Sequence, residues 1–373
     1  MRLSKSVVGK EEVEAIQNVI LEDGYLGMGK EVEAFEFDIA NYLDILPENV
    51  TCVNSGTAAL HLAFDALFQK GDEILVPSFT FLSTYQAISA CGLVPISCEV
   101  DKESLLIDLN DADSKITKKT KGIVVVHYAS NLPDYDQLNN FINKHNLRLI
   151  EDAAHSFGSK YFDKKVGSFG DVICFSFDGI KNITSGEGGA IICFDNNFNN
   201  IVKDSRLLSI HKDTDMRFLG KRSWNFEVTR QGYRYHMSNI FAAIGRVQLK
   251  KFDQLLAPKR KYYYQIYYDR LHTNIMIKFQ KKLPYVSDVP HICTIQILNG
   301  KRDELIEFLN SYDIPTGIHY KPNHLLKYYH RENLNLPITE NIYKQILSLP
   351  LHPDLSINDI NKVCDCILKF MTL

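Results

Sequence analysis

The sequence predicts an α/β fold with a mostly parallel central sheet covered by helices, followed by a smaller α+β domain. Short apolar segments alternate with segments of helical periodicity from about residue 50 to residue 200. Strands that are apolar along their whole length are typical of a parallel sheet buried on both faces. After Pro258 the composition changes to lysine and tyrosine. We therefore divide the chain into a large domain, residues 1–250 with an N-terminal segment, and a small C-terminal domain, residues 251–373.

The elements of the large domain follow one another along the chain. Strands are predicted from short apolar runs at residues 50–53, 73–76, 94–98, 122–127, 147–150, 172–176 and 190–193. Helices are predicted from the spacing of apolar residues at 58–68, 83–91 and 238–251. Ligands of such sheets bind at the carboxyl ends of the strands, so functional residues are expected there.

Residues 210–236 break this alternation with a polar, aromatic and arginine-rich segment. A loop of this length in a compact chain is usually functional or disordered. Its aromatic residues favour an ordered contact surface; they are Trp224, Phe226, Tyr233 and Tyr235.

Composition and charge argue against a nucleic-acid-binding protein and against a membrane protein. The net charge of -3 and the pI near 6.5 argue against a nucleic-acid partner, which would need a basic surface. No apolar run approaches the ~20 residues that span a bilayer, and the first residues lack the apolar core of a signal peptide. We therefore expect a cytoplasmic protein without a membrane partner.

The chain has eight cysteines, most of them in apolar segments at unrelated spacings. Free buried thiols in a cytosolic protein are the simplest interpretation. Cys364 and Cys366 have no second pair of cysteines or histidines at the spacing of a zinc site, so no metal site is predicted.

A lysine and an aspartate are the candidates for chemistry. Lys181 lies in FSFDGIKNITSGEGG, shortly after the predicted strand 172–176, and Asp152 follows the strand 147–150. This pair suits pyridoxal 5'-phosphate (PLP): the lysine amine would form a Schiff base, and the carboxylate would keep the pyridine nitrogen protonated. A surface lysine and a structural salt bridge are the alternatives.

Two further segments fit the same cofactor. Gly56, Thr57 and Ala58 open a predicted helix, whose N-terminus could bind the cofactor phosphate, although an ordinary helix cap is the alternative. Phe79 and Phe81 follow a strand, and one of them could stack on a flat ring, although core packing is the simpler role for either alone.

Six segments of the chain resemble a known family. They are VNSGTAALHLA, LVPSFTF, VVVHYA, IEDAAHSFG, GSFGDVICFSFDGIKNITSGEGGA and YRYHMSNIFAAIGRVQL. In this order they resemble the DegT/DnrJ/EryC1/StrS sugar aminotransferases, from about residue 5 to the C-terminus. The resemblance implies an aspartate-aminotransferase-like fold of type I and a homodimer with active sites at the subunit interface.

The resemblance also implies roles for single residues. Lys181 matches the Schiff-base lysine, which also shuttles the proton, and Asp152 matches the partner of the pyridine nitrogen. Phe81 matches the aromatic residue that stacks on the ring. The implied phosphate ligands are Thr57, Ala58 and Ser176.

At two positions the sequence departs from the family pattern. His155 stands where many members have a glutamine that contacts the 3'-hydroxyl of the cofactor. His236 stands where several have an asparagine that reaches the phosphate bound by the neighbouring subunit. An imidazole can serve in either place. The segment 217–236 is accordingly expected to complete the active site of the partner subunit.

The substrates implied are L-glutamate and a nucleotide-linked keto-deoxysugar. GYLGMGKEVEAFE, TRQGYRYH and TGIHYKPNHLL resemble the branch that converts dTDP-4-keto-6-deoxyglucose to its 4-amino product for O-antigen synthesis. Plausible ligands of the diphosphate and sugar are Arg230, Arg234, Tyr320 and Lys321, with solvated surface side chains as the alternative. A 3-keto-sugar aminotransferase is the second interpretation, and a catalytically silent PLP-fold regulator or a sugar-binding module is the third.

Overall fold

The computed structural model describes residues 1–222 and 224–372, so Ser223 and Leu373 lie outside the described residues. The strands, in chain order, are β1 (Val50–Val53), β2 (Glu73–Pro77), β3 (Val94–Cys98), β4 (Thr120–Val126), β5 (Arg148–Asp152), β6 (Lys160–Tyr161), β7 (Lys164–Lys165), β8 (Val172–Ser176), β9 (Gly189–Cys193), β10 (Ile277–Phe279), β11 (Val286–Ser287), β12 (Cys293–Ile297) and β13 (Ile346–Leu349).

The α-helices surround these strands. In chain order they are α1 (Lys10–Asn18), α2 (Lys30–Leu43), α3 (Gly56–Leu67), α4 (Leu82–Ala90), α5 (Leu109–Ser114), α6 (Tyr135–His145), α7 (Asn196–Ser205), α8 (Asp213–Phe218), α9 (Asn239–Lys251), α10 (Ala257–Leu271), α11 (Arg302–Asn310), α12 (Pro337–Gln345) and α13 (Ile357–Phe370). Several begin at side chains that cap the first turn, as Ser55 caps α3 and Ser238 caps α9.

The central sheet is mostly parallel. Within residues 1–222 and 224–372 it has seven strands in the order β1-β9-β8-β5-β4-β2-β3. The pairs from β8 through β5, β4 and β2 to β3 are parallel, and β9 is antiparallel to both of its neighbours. The predicted fold class, an α/β sheet covered by helices, is therefore confirmed.

Alternate residues of the central strands enter different cores. On one face Leu149 and Ile173 join the core that includes Phe35 of α2 and Phe141 of α6. On the other face Ile150 belongs to the core formed with α3, α4 and α7. Because the inner strands of the sheet are largely buried on both faces, their sequences are mostly apolar, which is why the strands could be located from sequence.

The C-terminal part has its own core. Strands β10, β12 and β13 form an antiparallel sheet that packs with α10, α11 and α13 around residues such as Tyr267, Ile295 and Ile367. A small antiparallel sheet of β6, β7 and β11 joins the two parts of the chain. The division into residues 1–250 and 251–373 stays a prediction.

The segment 210–236 is less irregular than its composition indicates, because it contains the short helix α8. Tyr233 and Tyr235 stack on each other at 5.1 Å and lie against His61. Trp224, by contrast, is 87% exposed.

All eight cysteines lie in the described residues and are unpaired. No helix of the described residues is long and apolar enough to cross a membrane.

Candidate active site

A cavity of about 450 Å³ lies at the carboxyl ends of β4, β5 and β8, beside the N-terminus of α3. Its wall includes many of the residues that the sequence singled out. These are Thr57, Phe81, Asp152, His155, Ser176, Lys181 and Tyr320. Parallel strands bring their carboxyl ends to one edge of a sheet, so residues distant in sequence meet there.

Asp152 is the last residue of β5 and is buried in the cavity wall. Its Oδ2 accepts a hydrogen bond from the Thr84 hydroxyl at 2.8 Å, and Oδ1 accepts one from the Ala154 amide at 3.3 Å. No ion pair joins Asp152 to Lys, Arg or His in the part of the chain that the structure describes. A buried carboxylate without a cation suits a protonated ring nitrogen as partner.

Lys181 lies in the turn that follows β8, where its main-chain amide donates to the Asp178 carbonyl at 3.0 Å. Its ammonium has no hydrogen-bond partner among the described residues and faces the cavity. Burial lowers the pKa of Lys181, and this effect exceeds the opposing attraction of Asp152 and Asp178. The free amine is therefore more accessible here than in a solvated lysine.

The N-terminus of α3 provides an anion site at the edge of the same cavity. Gly56 allows α3 to approach β8 closely, since a Cβ at this position would lie 2.7 Å from Cβ of Ser176. The hydroxyl-bearing residues Thr57 and Ser176 lie in the cavity wall. The Ala58 amide donates to Ser55 Oγ at 3.0 Å, and Ala58 lies outside this wall. The positive end of the helix and two hydroxyls suit a phosphate.

The two phenylalanines after β2 have different environments. Phe79 is 1% exposed and packs on Tyr128 at a ring distance of 5.0 Å, so it belongs to the core. Phe81 is 56% exposed and lies in the cavity wall, with its ring 5.5 Å from that of Tyr320. Phe81 therefore presents a flat face to a ligand.

His155 is buried, and its imidazole ring makes two polar contacts. Its Nδ1 accepts from the Ala129 amide at 3.3 Å, and its Nε2 lies 3.0 Å from the Tyr320 hydroxyl. Burial, followed by the charge of Lys181, lowers the pKa of His155 well below its ordinary value. The ring is therefore neutral, and because Nδ1 is an acceptor, the proton lies on Nε2.

The sequence did not single out two other histidines of the wall, His291 and His319. The His291 ring lies 4.5 Å from that of His155, and its Nδ1 is buried without a partner in the described residues. His319 Nδ1 lies 2.8 Å from Ser348 Oγ, and burial lowers the pKa of His319 to about 4. We call His291, His319 and Tyr320 the C-terminal wall.

The sequence around these two histidines gives little indication that they line a cavity. His319 lies in TGIHYKPNHLL, next to Tyr320 and Lys321, and only these two neighbours suggest a ligand from the sequence. His291 stands alone before an apolar strand, where nothing local distinguishes it from a core histidine. Asp178 and Glu187, which also lie in the wall, occur within the predicted lysine motif.

Other predicted ligands lie away from the cavity in this single chain. Arg230 pairs with Asp65 of α3 at 2.7 Å. Arg234 and Lys321 are exposed and do not line the cavity. His236 is partly buried next to Val53, its Nδ1 has no partner in the described chain, and burial lowers its pKa to about 4.

The residues present fit PLP in four ways. An amine with a lowered pKa, a buried carboxylate without a cation, a helix N-terminus with two hydroxyls, and an exposed aromatic face all border one cavity. Lys181 would bind the cofactor covalently, Asp152 would face its ring nitrogen, and Thr57 and Ser176 would meet its phosphate. Fold and site together define the class, which is that of PLP-dependent aminotransferases.

Comparison with known proteins agrees with this class. Residues 7–368 match the model of the DegT/DnrJ/EryC1/StrS aminotransferase family, and the chain belongs to that family. PLP is its cofactor.

Individual relatives are similar over nearly their whole length. GDP-perosamine synthase of Vibrio cholerae is 33% identical over 360 residues, which cover 95% of this chain and 94% of the relative. The spore coat polysaccharide biosynthesis protein SpsC of Bacillus subtilis is 32% identical, covering 98% and 95%. The crystal structure of the aminotransferase TlmJ of Streptoalloteichus hindustanus superimposes with a TM-score of 0.92 at 27% identity, covering 100% of both chains.

Proposed function

We propose that this enzyme transfers an amino group from L-glutamate to the C4 keto carbon of dTDP-4-keto-6-deoxy-D-glucose. The product would be dTDP-4-amino-4,6-dideoxy-D-glucose, the nucleotide form of viosamine, for O-antigen or another surface polysaccharide. One observation carries the sugar assignment: Lys181 shares its cavity with the neutral hydrogen-bonding side chains of the C-terminal wall, His291, His319 and Tyr320. Neutral donors and acceptors suit sugar hydroxyls and a keto oxygen.

The relatives support the substrate class. One relative is named for a GDP-linked amino sugar, perosamine, and another for polysaccharide biosynthesis. Our proposal keeps dTDP as the nucleotide because of the segments quoted above, and GDP is the alternative that the relative suggests. A 3-keto sugar is the second candidate for the acceptor.

Lys181 is proposed to act twice. When bound, PLP supplies an electron-withdrawing ring that stabilises negative charge on the carbon next to the nitrogen. The amine of Lys181 anchors the cofactor at rest and, once released, carries a proton to or from the substrate carbon. Burial favours the neutral amine that this step requires, because it lowers the pKa of Lys181.

Asp152 and its neighbours are proposed to hold the ring. Oδ2 of the carboxylate accepts a hydrogen bond from the Thr84 hydroxyl, and Oδ1 accepts one from the Ala154 amide. These two bonds fix the orientation of the carboxylate. A carboxylate held in this way keeps the opposing ring nitrogen protonated. Phe81 would cover one face of the bound ring, and His155 would contact its hydroxyl.

We further propose that the active enzyme is a homodimer in the cytoplasm. The apolar side chains of Trp224, Phe226 and Val228 are exposed in the single chain, which favours a partner surface over this segment. In such a dimer His236, Arg230 and Arg234 would serve the neighbouring cavity. Eight unpaired cysteines are in keeping with a reducing compartment.

The substrate proposal is tested with a panel of acceptors. The purified PLP-loaded protein is incubated with L-glutamate and, separately, with dTDP-4-keto-6-deoxyglucose, its 3-keto isomer and the GDP-linked 4-keto sugar. NMR of the product identifies the aminated carbon. We expect the dTDP-linked 4-amino product to form fastest. Amination of only the 3-keto isomer, or of only the GDP-linked sugar, would replace the proposed acceptor while leaving the aminotransferase class intact.

A further inference from the structure

Arg260 of α10 is a buried arginine with an unusual set of partners. It is 2% exposed, and its side chain donates to main-chain carbonyls. One terminal nitrogen, Nη2, lies 3.4 Å from the Ile180 carbonyl and 3.3 Å from the Lys181 carbonyl. The other, Nη1, lies 3.5 Å from the Pro290 carbonyl and 3.1 Å from the His291 carbonyl.

The Arg260 guanidinium has no neutralising carboxylate in the part of the chain that the structure describes. Among the ion pairs of the described residues none includes Arg260, and its Nε is buried without a partner. Burial lowers the pKa of Arg260 to about 10, which reflects the cost of an uncompensated charge. If this position contributed only packing, an apolar side chain of similar volume would stabilise the core better than a buried guanidinium. This arrangement therefore requires a reason beyond packing.

A second contact joins the same two segments. Asn182, the residue after Lys181, donates from its Nδ2 to the Phe157 carbonyl at 3.1 Å and to the Val289 carbonyl at 3.0 Å. Two side chains thus hold the main chain at Lys181 to residues 289–291. Arg260 binds the carbonyls of Lys181 and His291, and Asn182 binds the carbonyl of Val289. Residues 289–291 include His291, which lines the same cavity as Lys181.

We propose that Arg260 is a positioning residue that clamps the Lys181 peptide to residues 290–291 and so fixes the amine relative to the C-terminal wall. The inference rests on the proposed role of Lys181. The planar fork of a guanidinium can reach two pairs of carbonyls at once, whereas the single ammonium of lysine cannot. The clamp also brings a fixed positive charge beside the amine, which disfavours a second charge there.

The chain offers a matched control. Arg302 of α11 is 7% exposed and donates to the main-chain carbonyls of Tyr343 at 3.2 Å and Ile346 at 3.1 Å. It also pairs with Asp303, and neither its partners nor its side chain lies in the cavity wall. Arg302→Met therefore removes a buried guanidinium that binds carbonyls without touching the Lys181 peptide.

The test compares Arg260→Lys, Arg260→Met and Arg302→Met in the full chain. Amide hydrogen exchange of residues 178–184 is measured on the cofactor-free proteins, and the single-turnover rate with L-glutamate on the PLP-loaded ones. We expect faster exchange only in the Arg260 variants and a rate about 100-fold lower in Arg260→Met, the loss typical of a reacting group displaced by about 1 Å. Arg260→Lys should fall between Arg260→Met and the wild type.

The outcomes distinguish a failure of the Arg260 clamp from a failure of the proposed role of Lys181. Equal rates in Arg260→Met and Arg302→Met, at matched melting temperatures, would overturn the clamp. If Arg260→Met fails to fold, Arg260→Lys decides the question, since wild-type exchange and rate in that variant also overturn it. Lys181→Ala is measured alongside: a cofactor still bound covalently in that variant refutes the role of Lys181, whatever the Arg260 variants do.

Discussion

The cavity has two walls of different origin. The sheet wall consists of Asp152, Ser176, Lys181 and the N-terminus of α3, all from residues 55–181 and close to the ends of neighbouring strands. The C-terminal wall consists of His291, His319 and Tyr320, more than a hundred residues further along the chain. The sheet wall holds complementary charges for a cofactor, whereas the C-terminal wall is made of neutral rings.

This difference indicates a division of labour, in which the sheet wall serves the cofactor and the C-terminal wall serves the sugar. Charged groups at fixed strand ends suit a cofactor that never leaves, and neutral hydrogen-bonding groups suit a sugar that must enter and depart. Changes in the sheet wall should therefore impair both half-reactions, with glutamate and with the keto sugar. Changes in the C-terminal wall should impair the sugar half-reaction more than the glutamate half-reaction.

The largest effect is expected from Lys181→Ala. No other amine of the described residues lines the cavity, so both half-reactions should stop, while PLP can still bind through its phosphate and ring contacts. Stopped-flow absorbance of each half-reaction measures the loss. Near-normal turnover in this variant would show that Lys181 is not catalytic. The proposed difference in role between the two walls would then be wrong.

Asp152→Asn should come next. The side chain keeps its shape and its contact with Thr84 but loses the charge that keeps the ring nitrogen protonated. Both half-reactions should slow by several orders of magnitude, each factor of ten corresponding to about 1.4 kcal/mol. Single-turnover rates at saturating PLP measure this change. A variant with normal rates and only weaker cofactor binding would reduce Asp152 to a packing role.

His319→Asn addresses the opposite wall. The loss of one hydrogen bond to the sugar, about 1–3 kcal/mol, should lower kcat/KM for the keto sugar by about 5- to 150-fold. The rate with L-glutamate should stay within about twofold of the wild type. Ser348→Ala, which removes only the anchor of the His319 ring, is the control and should have a smaller effect. An equal loss in both half-reactions would contradict the division of labour.

His236→Ala should affect cofactor retention across the proposed dimer. One lost hydrogen bond of about 1 kcal/mol corresponds to a roughly fivefold weaker affinity for PLP. Equilibrium dialysis measures the affinity, and light scattering under assay conditions measures the oligomeric state. A fully active monomer would refute the shared site without touching the chemistry at Lys181.

The last expected effect concerns the pH dependence of stability rather than the rate of catalysis. Burial lowers the pKa of His319 to about 4 from its ordinary value of 6.5, so the unfolded chain binds more protons between these values. This contribution to the free energy of unfolding is present above pH 6.5 and is lost as the pH falls toward 4. Urea unfolding across this range should show a shallower loss in His319→Asn. An identical pH dependence in both proteins would mean that the imidazole is solvated.

The sequence predicted the sheet wall better than the C-terminal wall for a physical reason. Strands such as Val50–Val53, Val94–Cys98 and Val172–Ser176 agree with the predicted bounds, because they are short and mostly apolar runs. Asp152 ends one such strand and Lys181 lies in the turn after another, so their place in the fold could be inferred from their place in the sequence. Their catalytic roles stay predictions.

The rest depended on contacts that local patterns do not encode. The hairpin of Lys160–Tyr161 and Lys164–Lys165 is polar and short, so no apolar periodicity marks it. His291 enters the cavity because Arg260, Asn182 and residues 289–291 pack against one another, and no segment of the sequence contains that information alone. Arg230 was proposed as a ligand from its charge, but within one chain it pairs with Asp65.

The contacts of Arg260 bear on how such enzymes can be recombined. A chimera joined near residue 250 would inherit the cofactor pocket from one parent and the sugar-facing histidines from the other. Arg260 would then come from the second parent and hold a loop of the first. Because its partners are main-chain carbonyls, which every sequence possesses, this junction should tolerate exchange. The part of acceptor selectivity that depends on His291, His319 and Tyr320 would then travel with the C-terminal third of the chain as a transferable module.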